Sequence, residues 1–283
     1  MINTPPFLAL FVPGTRPDRF SKAALSGADA IIIDLEDAVA KADRPTAREM
    51  IRSALISGSA YLCEVYIRIN GSETDDHESD LTLLDCLPNT IGIVLAKAEN
   101  PRDIVELRKR YPSRRIIGLI ETAKGIASAR GLAPLVNRLA FGSIDYANSL
   151  GAAHSDRALL AARSELVFAC AFAGCPGPID GVTTSISSKD AVFKDSVAAK
   201  ELGFKGKLLI HPSQVIESLK AMVPDEDKID EARRMLAAVG VAASGFEGKM
   251  VDAPVLLAAR KLVQEHEALQ LRIENLINSK VMN

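Results

Sequence analysis

Short apolar runs alternate with longer amphipathic segments along most of this chain, and this alternation restricts the possible folds more than any other feature. Eight of the runs have the length and composition of β-strands, at residues 7–12, 30–34, 64–69, 92–96, 116–121, 138–142, 179–183 and 207–210. Several are apolar at nearly every position, which is typical of a strand that is buried on both faces in a parallel sheet.

The segments between these strands carry apolar residues three and four positions apart, as helices that cover a sheet do. We predict helices at residues 18–27, 44–57, 101–111, 123–132, 157–174 and 190–203. Eight strand–helix units in about 235 residues favour an α/β fold of the TIM (β/α)₈ barrel type, which typically takes about 250 residues. A doubly wound open sheet is the alternative, but its glycine fingerprint is missing from the first turn, Pro13-Gly14-Thr15-Arg16-Pro17.

The C-terminal part of the chain follows a different pattern. Helices are predicted at residues 228–241 and 254–277, and the small residues of 242–248 join them. This tail exceeds what a barrel needs. We therefore assign residues 1–235 to a barrel catalytic domain and residues 236–283 to a C-terminal helical extension that serves as a lid or in oligomer formation.

Composition argues against several classes of function. The 283 residues carry a formal net charge of −2, so the chain lacks the basic field that nonspecific nucleic-acid binding needs. No apolar run reaches the roughly 18 residues of a membrane-spanning helix, and the N-terminus lacks the pattern of a secretory signal. The four cysteines have no zinc-site spacing and are expected to be reduced thiols. We therefore expect a cytoplasmic protein without nucleic-acid or membrane partners.

Polar and charged side chains stand at the ends of the predicted strands, which core packing alone does not explain. In a TIM barrel the carboxyl ends of the strands form the active site. The residues at or just after these ends are Asp34, Glu36, Asp37, Arg68, Asn70, Lys97, Glu121, Asp145, Asp180 and His211. Because buried charges are costly unless they pair or bind a metal, these strand ends are the candidate site.

Glu121 and Asp145 form the sharpest pair, because each follows an apolar strand and the two strands should be neighbours. Two carboxylates are hard oxygen ligands that suit Mg²⁺, with water and substrate oxygens completing the coordination. Two alternatives stay open at this point. Either residue could pair with an arginine or lysine, or cap the helix that follows it.

Arg68 would direct its guanidinium into the barrel mouth, where the planar fork can hold a substrate carboxylate through two hydrogen bonds. It could equally form a buried ion pair with Asp34, Glu36 or Asp37. Those acids could in turn hold the charges of Arg68 and Lys97, or water molecules bound to a metal.

The histidines allow both a functional and a structural interpretation. His211 could act as a general base, or it could be a structural residue before Pro212 that makes a backbone hydrogen bond. His77, His154 and His266 lie in polar or helical sequence, and we expect them at the surface.

Two further groups of residues are open in the same way. Arg16, Arg19 and Lys22 follow the first strand and could meet phosphates or form a solvated face. Asp252 lies in the C-terminal extension, two residues before Pro254, and could simply cap the helix that begins there.

Seven stretches, spread over nearly the whole chain, together resemble the citrate lyase β-subunit-like family within the HpcH/HpaI aldolase superfamily. They are LFVPGTRPDR (10–19), GADAIIIDLEDAV (27–39), RIN (68–70), GLIET (118–122), FGSID (141–145), KLLIHPSQ (207–214) and GKMVDAP (248–254). The resemblance implies a TIM barrel that assembles as a trimer or a hexamer, and an enzyme that cleaves or forms a carbon–carbon bond beside a thioester. The stretch FGSID departs from the more acidic Gly-x-Glu-Asp type of sequence in many lyases, which leaves the substrate open.

The resemblance also implies roles for residues at the strand ends. Glu121 and Asp145 match the two carboxylates that bind Mg²⁺. Arg68 matches the arginine that binds the oxo- or hydroxy-acid part of the substrate, and we expect Asp34, Glu36 and Glu121 to contribute to substrate binding beside it.

Contacts with CoA are implied by position as well. Arg16 and Lys22 match positions near the CoA phosphates, and His211 and Pro212 match the last strand end, near the thioester arm. Asp252 matches an aspartate that an adjacent subunit donates to the thioester end, where it would supply a proton to the enolate.

Together these features predict a Mg²⁺-dependent carbon–carbon lyase that cleaves a 3-hydroxy-acid thioester of CoA, such as citramalyl-CoA or malyl-CoA. The released oxo acid would be pyruvate, glyoxylate or oxaloacetate. The alternatives are the β subunit of citrate lyase, which acts on an acyl-carrier protein, and a malate synthase-like or thioesterase-like member. A non-enzymatic scaffold is disfavoured, because Glu121, Asp145 and Arg68 are all present.

Overall fold

Seven parallel strands form one sheet that curls into a nearly closed, TIM-like barrel, as the strand pattern predicts. The computed structural model describes residues 5–56, 61–238 and 251–281. The strands are β1 (Phe7–Pro13), β2 (Ala30–Asp34), β3 (Glu64–Ile69), β4 (Gly92–Leu95), β5 (Ile116–Ile120), β6 (Arg138–Phe141) and β7 (Gly206–Leu209). Their order in the sheet is β6-β5-β4-β3-β2-β1-β7, with all neighbours parallel.

The strand predicted at residues 179–183 is much shorter than expected. Only two isolated bridges occur there, Ala140↔Ile179 towards β6 and Asp180↔Lys207 towards β7, and they close the barrel at its eighth position. Pro178 limits this segment on one side, because it has no N–H to give to a ladder. On the other side Gly181 passes close to Ser143 and to the carbonyl of Phe141, the last residue of β6, so the chain leaves the sheet early.

The barrel is surrounded on its outer face by helices, namely α1 (Phe20–Ala24), α2 (Arg44–Ile56), α3 (His77–Asp85), α4 (Pro101–Arg110), α5 (Ala123–Leu132), α6 (Ser143–Leu150), α7 (Asp156–Ala173) and α8 (Lys189–Leu202). Three further helices follow along the chain, α9 (Gln214–Met222), α10 (Glu226–Ala238) and α11 (Ala253–Val281). The predicted helices are confirmed with small shifts at their ends. The sequence pattern missed α3, α6 and α9, which are short and begin with polar residues that read as loop.

Side chains alternate between the inside of the barrel and the helix layer along each strand. The inward-facing cluster contains Ala9, Ala30, Ile32, Tyr66, Val94, Ile117, Leu119, Ala140, Ile179 and Leu208. The intervening residues, such as Ile31 and Ile33, are equally buried against the helices. Burial on both faces explains why these strands are apolar at nearly every position.

The chain divides into two compact units, Met1–Ser218 and Leu219–Asn283. In the second unit α10 and α11 pack together through Ala232, Met235 and Ala259. The predicted domain boundary at residue 235 lies later in the chain and stays a prediction, and the predicted connector at 242–248 lies outside the described residues. His266 is buried in this unit with its Nε2 atom 3.9 Å from Glu226, so the expectation of a surface histidine is wrong there.

No helix in the described ranges is long and apolar enough to cross a membrane.

Candidate active site

On three strands, the side chains that face the inside of the barrel end in a charged residue at the carboxyl end of the strand. Ala30 and Ile32 lead to Asp34 on β2, and Tyr66 leads to Arg68 on β3. Because side chains alternate, each of these charged residues points towards the barrel axis. Asp34 and Arg68 are partners in the strand register, so their side chains lie side by side.

The same rule applies to β5, where Ile117 and Leu119 face inward and Glu121 follows the strand end. A cavity of about 340 Å³ opens above these residues. Its lining includes Phe11, Asp34, Asp37, Arg68, Glu121, Gly142, Ser143, Asp145 and Ile210. The structure therefore brings Glu121, Asp145, Asp34 and Arg68 to one cavity at the barrel mouth.

Arg68 is almost completely buried and is held by three carboxylates. Its Nε and Nη2 atoms donate to the two oxygens of Asp34 at 2.7 and 2.5 Å, and Nη1 donates to Asp37 Oδ2 at 3.0 Å. The guanidinium also lies over the Phe11 ring, 4.9 Å from its centroid. Burial lowers the pKa of Arg68, but Asp34, Glu36 and Asp37 outweigh it and raise that pKa above its ordinary value.

Both interpretations of Arg68 are compatible with this geometry. A guanidinium has five N–H donors, and the hydrogen bonds to Asp34 and Asp37 use three of them. The other two N–H groups make no hydrogen bond within the described residues, although Glu36 Oε2 lies 3.0 Å from Nη1, and they can bind a substrate carboxylate. Asp37 is about half exposed, 54% for its side chain, so it can leave Nη1 more easily than the buried Asp34 can.

Glu36 lies beneath this cluster and is buried beside two cations. Its Oε1 atom is in contact with Lys97 Nζ, and its Oε2 atom lies 3.0 Å from Arg68 Nη1. Oε2 has no well-aligned hydrogen-bond donor among the described residues. Burial raises the pKa of Glu36 although Arg68 and Lys97 both lower it. An acceptor left open at this depth suits a bound water, or a water held by a metal.

Lys97 orients the carboxylate of Glu121 through its backbone. It is the non-glycine residue with positive φ, 49°, within the described part of the chain. This strained conformation points its N–H at Glu121 Oε1, 2.7 Å away, while Nζ lies 3.8 Å from the same oxygen. Nothing in the local sequence predicts this strain, because the pattern shows Lys97 only as a charged residue at a strand end.

Glu121 is 1% exposed and does not cap the helix that follows it. Thr122 takes that position, and its hydroxyl accepts from Gly125 N at 3.0 Å. The helix-capping alternative for Glu121 is therefore excluded, and the pairing alternative is realised only in part, by Lys97. Asp145 lies in the first turn of α6 and belongs to none of the ion pairs formed by the described residues.

Glu121 and Asp145 are the residues of this cavity that could hold a metal. No group of three or more His, Cys, Asp or Glu side chains forms a metal site in the ranges that the structure describes. Mg²⁺ is commonly bound by one or two carboxylates, with waters and substrate oxygens as its other ligands. Two carboxylates that follow the neighbouring strands β5 and β6 and line one cavity, with an open acceptor on Glu36 nearby, fit that requirement.

A Gly142→Ala substitution should displace the Glu121 carboxylate. A Cβ atom at Gly142 would lie 2.4 Å from Glu121 Cβ and 2.6 Å from Glu121 Oε2, closer than atoms can approach. We expect Mg²⁺ affinity, measured by calorimetry, to fall at least about tenfold, with a melting temperature lowered by a few degrees. Gly118→Ala on β5 is the matched control, because a Cβ atom there would lie no closer than 3.5 Å to any neighbour, which is ordinary van der Waals contact. Unchanged affinity in Gly142→Ala would contradict the proposed position of the ligand.

The stability of the metal-free protein should fall as the pH rises towards 8. Burial, and then the Glu36 carboxylate, raise the pKa of Glu121 from 4.5 to about 8. Between these two pKa values the folded protein holds a proton that the unfolded chain has released. The contribution of this proton to the free energy of unfolding is therefore complete at low pH, and it is lost as the pH rises through the pKa of the folded protein. Melting curves in a chelator from about pH 5 to about pH 9 should show this loss in the wild type and a weaker one in Glu121→Gln. If the melting temperatures of the two proteins depended on pH in the same way, Glu121 would not be the source of the loss.

The residues assigned to CoA do not lie at this cavity. Arg16 is paired with Asp18 at 2.7 Å on the surface, and Lys22 is exposed. His211 is exposed, and its Nδ1 atom accepts from the Ser213 backbone N at 3.2 Å, which is the structural alternative for this residue. Pro212 follows it and is half-buried. Their roles with CoA stay predictions.

Asp252 caps the helix that follows it, as one of its two interpretations predicts. Its Oδ1 atom accepts from Val255 N at 3.1 Å, and its backbone carbonyl accepts from Leu256 N. The side chain is exposed. A catalytic role for Asp252 stays a prediction.

Of the other histidines expected at the surface, His154 is exposed as predicted and His77 is half-buried, and each makes a contact within the fold. His77 is half-buried, with Nδ1 2.8 Å from the Asn70 carbonyl. His154 remains exposed, but its Nε2 atom lies 2.9 Å from Ser143 Oγ at the edge of the cavity. In the sequence, Ser143 stands out only because FGSID departs from a family pattern. Its contact with His154 could not be predicted, because it depends on the tertiary fold.

Comparison with known proteins gives matches over nearly the whole chain. A family model described as HpcH/HpaI aldolase/citrate lyase matches residues 8–212. A citrate lyase subunit beta-like protein of Deinococcus radiodurans is 36% identical and is covered completely by 94% of this chain. A (3S)-malyl-CoA thioesterase of Cereibacter sphaeroides is 28% identical, over 92% of this chain and 94% of its own length.

Among solved structures, CitE of Mycobacterium tuberculosis in complex with magnesium, acetoacetate and coenzyme A is similar throughout. The two chains are 32% identical and superpose with a TM-score of 0.79. The match covers 94% of this chain and 100% of the other. The barrel and the C-terminal helices are therefore both features that known relatives share.

Proposed function

Because this chain belongs to the HpcH/HpaI aldolase/citrate lyase family, we propose that it is a Mg²⁺-dependent lyase that cleaves a 3-hydroxy-acid thioester of CoA. Citramalyl-CoA and malyl-CoA are the favoured substrates, with pyruvate or glyoxylate as the oxo acid released. The observation that carries the proposal is the convergence of Glu121, Asp145 and Arg68 on one cavity at the barrel mouth. The M. tuberculosis relative, whose structure contains magnesium and coenzyme A, supports the choice of both.

In this proposal Glu121 and Asp145 hold Mg²⁺. When bound, the ion supplies positive charge that favours the alkoxide form of the substrate hydroxyl. Lys97 keeps Glu121 in place through its backbone N–H, which leaves the second carboxylate oxygen to face the cavity. Glu36 offers its open oxygen to water at the edge of the site.

Arg68 binds the carboxylate of the oxo-acid part through the two N–H groups that the protein leaves free. Its charge is fixed before the substrate arrives, because Asp34 holds the guanidinium plane through two hydrogen bonds. Because the cation is already in position, no free energy is spent on reorienting it as negative charge develops during carbon–carbon cleavage. Asp34 contributes to substrate binding in this way, by positioning Arg68.

The enolate of the thioester must gain a proton after the bond breaks. We assign this step to Asp252 of an adjacent subunit in a homotrimer or hexamer. Arg16 and Lys22 bind the CoA phosphates, and His211 with Pro212 borders the thioester arm. These assignments rest on the positions of the residues in the family pattern.

The direct test is a product analysis with defined thioesters. The protein is incubated with Mg²⁺ and malyl-, citramalyl- or citryl-CoA, and with the matching carrier-protein thioesters, and products are identified by mass spectrometry. Formation of an oxo acid and the shortened acyl-CoA supports the proposal. Activity confined to a carrier-protein thioester would point instead to a citrate lyase β subunit. Free CoA and an intact hydroxy acid, with no oxo acid, would replace the lyase with a thioesterase.

Hybrid oligomers test the role of Asp252. The variant Asp252→Asn keeps a good helix cap but has no acidic proton to give, so we expect it to fold and to lose at least about a hundredfold in rate. Glu121→Ala should be inactive as well. After equal mixing and reassembly, about a quarter of the sites would combine an intact barrel with an intact neighbour, and about a quarter of the wild-type rate should return.

The control mixes Asp252→Asn with the double variant Asp252→Asn/Glu121→Ala, in which no site is complete and no rate should return. Hybrids that form but stay inactive in the first mixture would disprove a shared site. Full activity of Asp252→Asn alone would disprove a role for Asp252 in proton transfer.

A further inference from the structure

A second cavity adjoins the candidate site and shares part of its wall. It has a volume of about 420 Å³, and Phe141, Ser143 and Val182 line both cavities. Its other lining residues include His154, Asp180 and Thr183. Ser143 thus stands between the cavity of Glu121 and Asp145 and this second, polar one.

Ser143 and His154 form a hydrogen-bonded pair at this boundary. The distance from His154 Nε2 to Ser143 Oγ is 2.9 Å. In the tautomer that carries its proton on Nδ1, His154 accepts the hydrogen bond and the serine hydroxyl donates it. A hydroxyl that donates to an imidazole is the arrangement in which a serine can lose its proton to a base as it attacks a carbonyl carbon.

The backbone holds Ser143 in one place. It is the first residue of α6, separated from β6 only by Gly142, and it is 5% exposed. Its position at the start of the helix puts a developing oxygen anion near the positive end of the helix dipole. Gly181 leaves the room that the side chain needs, because a Cβ atom there would lie 2.2 Å from Ser143 Oγ.

The charged groups around the pair are already neutralised by one another. Asp180 is held by Arg163 Nη2 at 3.0 Å and by Lys207 Nζ at 3.1 Å. Arg163 Nη1 also binds Asp156, at 3.1 Å. Among the described residues, none of these charged groups makes a hydrogen bond to Ser143 or His154. The hydrogen bond between the serine and the histidine therefore has no competing charged partner there.

From this geometry we propose that Ser143 is a nucleophile and His154 its general base, and that the pair gives the protein a second activity, thioester hydrolysis. The proposal rests on the proposed function in one respect, that the site binds an acyl thioester. The acyl carbonyl would reach Ser143 from the cavity of Glu121 and Asp145, whose wall the serine forms.

The reaction has two balanced steps. Ser143 Oγ forms a bond to the acyl carbon as His154 takes the hydroxyl proton, and the carbon–sulfur bond breaks while that proton passes to the leaving thiolate. Water then attacks the acyl-serine, giving its proton to His154, and the ester bond to Oγ breaks as the serine regains a proton. The net change converts a thioester and water into a carboxylic acid and a thiol, with no other reactant.

The experiment measures two products from the same protein, with Mg²⁺ present throughout. Acetyl-CoA has no bond that a retro-aldol cleavage can break, so free CoA from it reports hydrolysis alone. Oxo acid from malyl-CoA or citramalyl-CoA reports carbon–carbon cleavage. The variants are Ser143→Ala and His154→Gln. Ser149→Ala is the control, a serine on the same helix whose hydroxyl donates to the Tyr146 carbonyl at 2.8 Å.

We expect the wild type and Ser149→Ala to release free CoA, and Ser143→Ala and His154→Gln to release it at least about a hundredfold more slowly. Oxo-acid formation should fall much less in these two variants, so that the ratio of the two products changes. A brief incubation of wild type with acetyl-CoA, followed by acid quenching and peptide mass analysis, should find the acetyl group on Ser143.

Three results would overturn the proposal. Equal free-CoA rates in wild type and Ser143→Ala would exclude the serine as nucleophile. Oxo acid without free CoA from any thioester in the wild type would exclude the second activity and leave the lyase intact. Neither product from any thioester would overturn the lyase and the hydrolytic pair together.

Discussion

Glu121→Gln is expected to abolish measurable Mg²⁺ binding and to lower the lyase rate at least about a hundredfold. A bound metal contributes several kcal/mol of transition-state stabilisation, and each 1.4 kcal/mol changes a rate about tenfold. The amide keeps the size of the side chain, and its oxygen can still accept the Lys97 N–H that Glu121 accepts at 2.7 Å. It has no negative charge, however, so the cation loses one of its two protein ligands.

The same variant should remain folded, which separates the loss of the metal from a loss of structure. In the metal-free protein the pKa of Glu121 is raised to about 8, so near neutral pH the wild-type side chain is already protonated and resembles the amide. Mg²⁺ should therefore raise the melting temperature of the wild type and leave that of Glu121→Gln unchanged.

Glu106→Gln serves as the control, because Glu106 is an exposed glutamate whose one ion pair within the described ranges is with Lys109. It should bind Mg²⁺ with wild-type affinity in calorimetry. Retention of wild-type affinity in Glu121→Gln would remove Glu121 from the metal site and with it the proposed function.

The residues that converge on the cavity could be predicted from the sequence because a strand has a period of two. Once residues 30–34 are taken as a strand inside a barrel, Asp34 must point the same way as Ala30 and Ile32. The same argument places Arg68 after Tyr66, and Glu121 after Leu119. Parallel strands share one direction, so their carboxyl ends meet at the same mouth.

The rest of the site depends on tertiary contacts that a local pattern does not contain. The left-handed backbone of Lys97 is stabilised by Glu121, a residue on the next strand, and its own sequence neighbours do not require it. His154 meets Ser143 because the loop between α6 and α7 brings the chain back to the first residue of α6. The short eighth strand follows from crowding at Gly181, which involves β6 and the start of α6.

Some alternatives that the sequence left open are decided by a single hydrogen bond. Thr122 caps α5, and Glu121 does not. Both residue types can cap a helix, so the local sequence does not show which of the two neighbours takes that position. Asp252 was expected either to cap a helix or to act in catalysis. The cap is present, and a cap does not prevent the same carboxylate from meeting a substrate.

Arg68→Lys is expected to leave the protein folded and to lower kcat/KM at least about a hundredfold. A lysine cannot reproduce the two parallel hydrogen bonds to Asp34, at 2.7 and 2.5 Å, and also present two further N–H groups to a substrate. Asp34, Glu36 and Asp37 would still face a cation, so the buried acids are not left unpaired. The loss of one charged hydrogen bond should cost about 1–3 kcal/mol of unfolding free energy.

The effect on the oxo acid separates substrate binding from a purely structural role. If Arg68 binds the oxo-acid carboxylate, then Arg68→Lys should raise the inhibition constant of the product oxo acid, while inhibition by free CoA stays close to wild type. A structural role would weaken both alike. Arg108→Lys is the control for the exchange itself, since Arg108 bonds to the carbonyls of Leu135 and Arg114, away from the cavity.

Asp37→Asn completes this test, because Asp37 accepts a hydrogen bond from Arg68 Nη1 and is the partner that can most easily leave the guanidinium. Its carboxylate accepts from Nη1 at 3.0 Å while its side chain is 54% exposed, so a substrate carboxylate competes with it for the same N–H. If that competition limits binding, the neutral amide should lower the inhibition constant of the oxo acid in an otherwise wild-type protein. In the Arg68→Lys background the substitution should have no such effect. An equal change in both backgrounds would show that Asp37 acts on the oxo acid independently of Arg68.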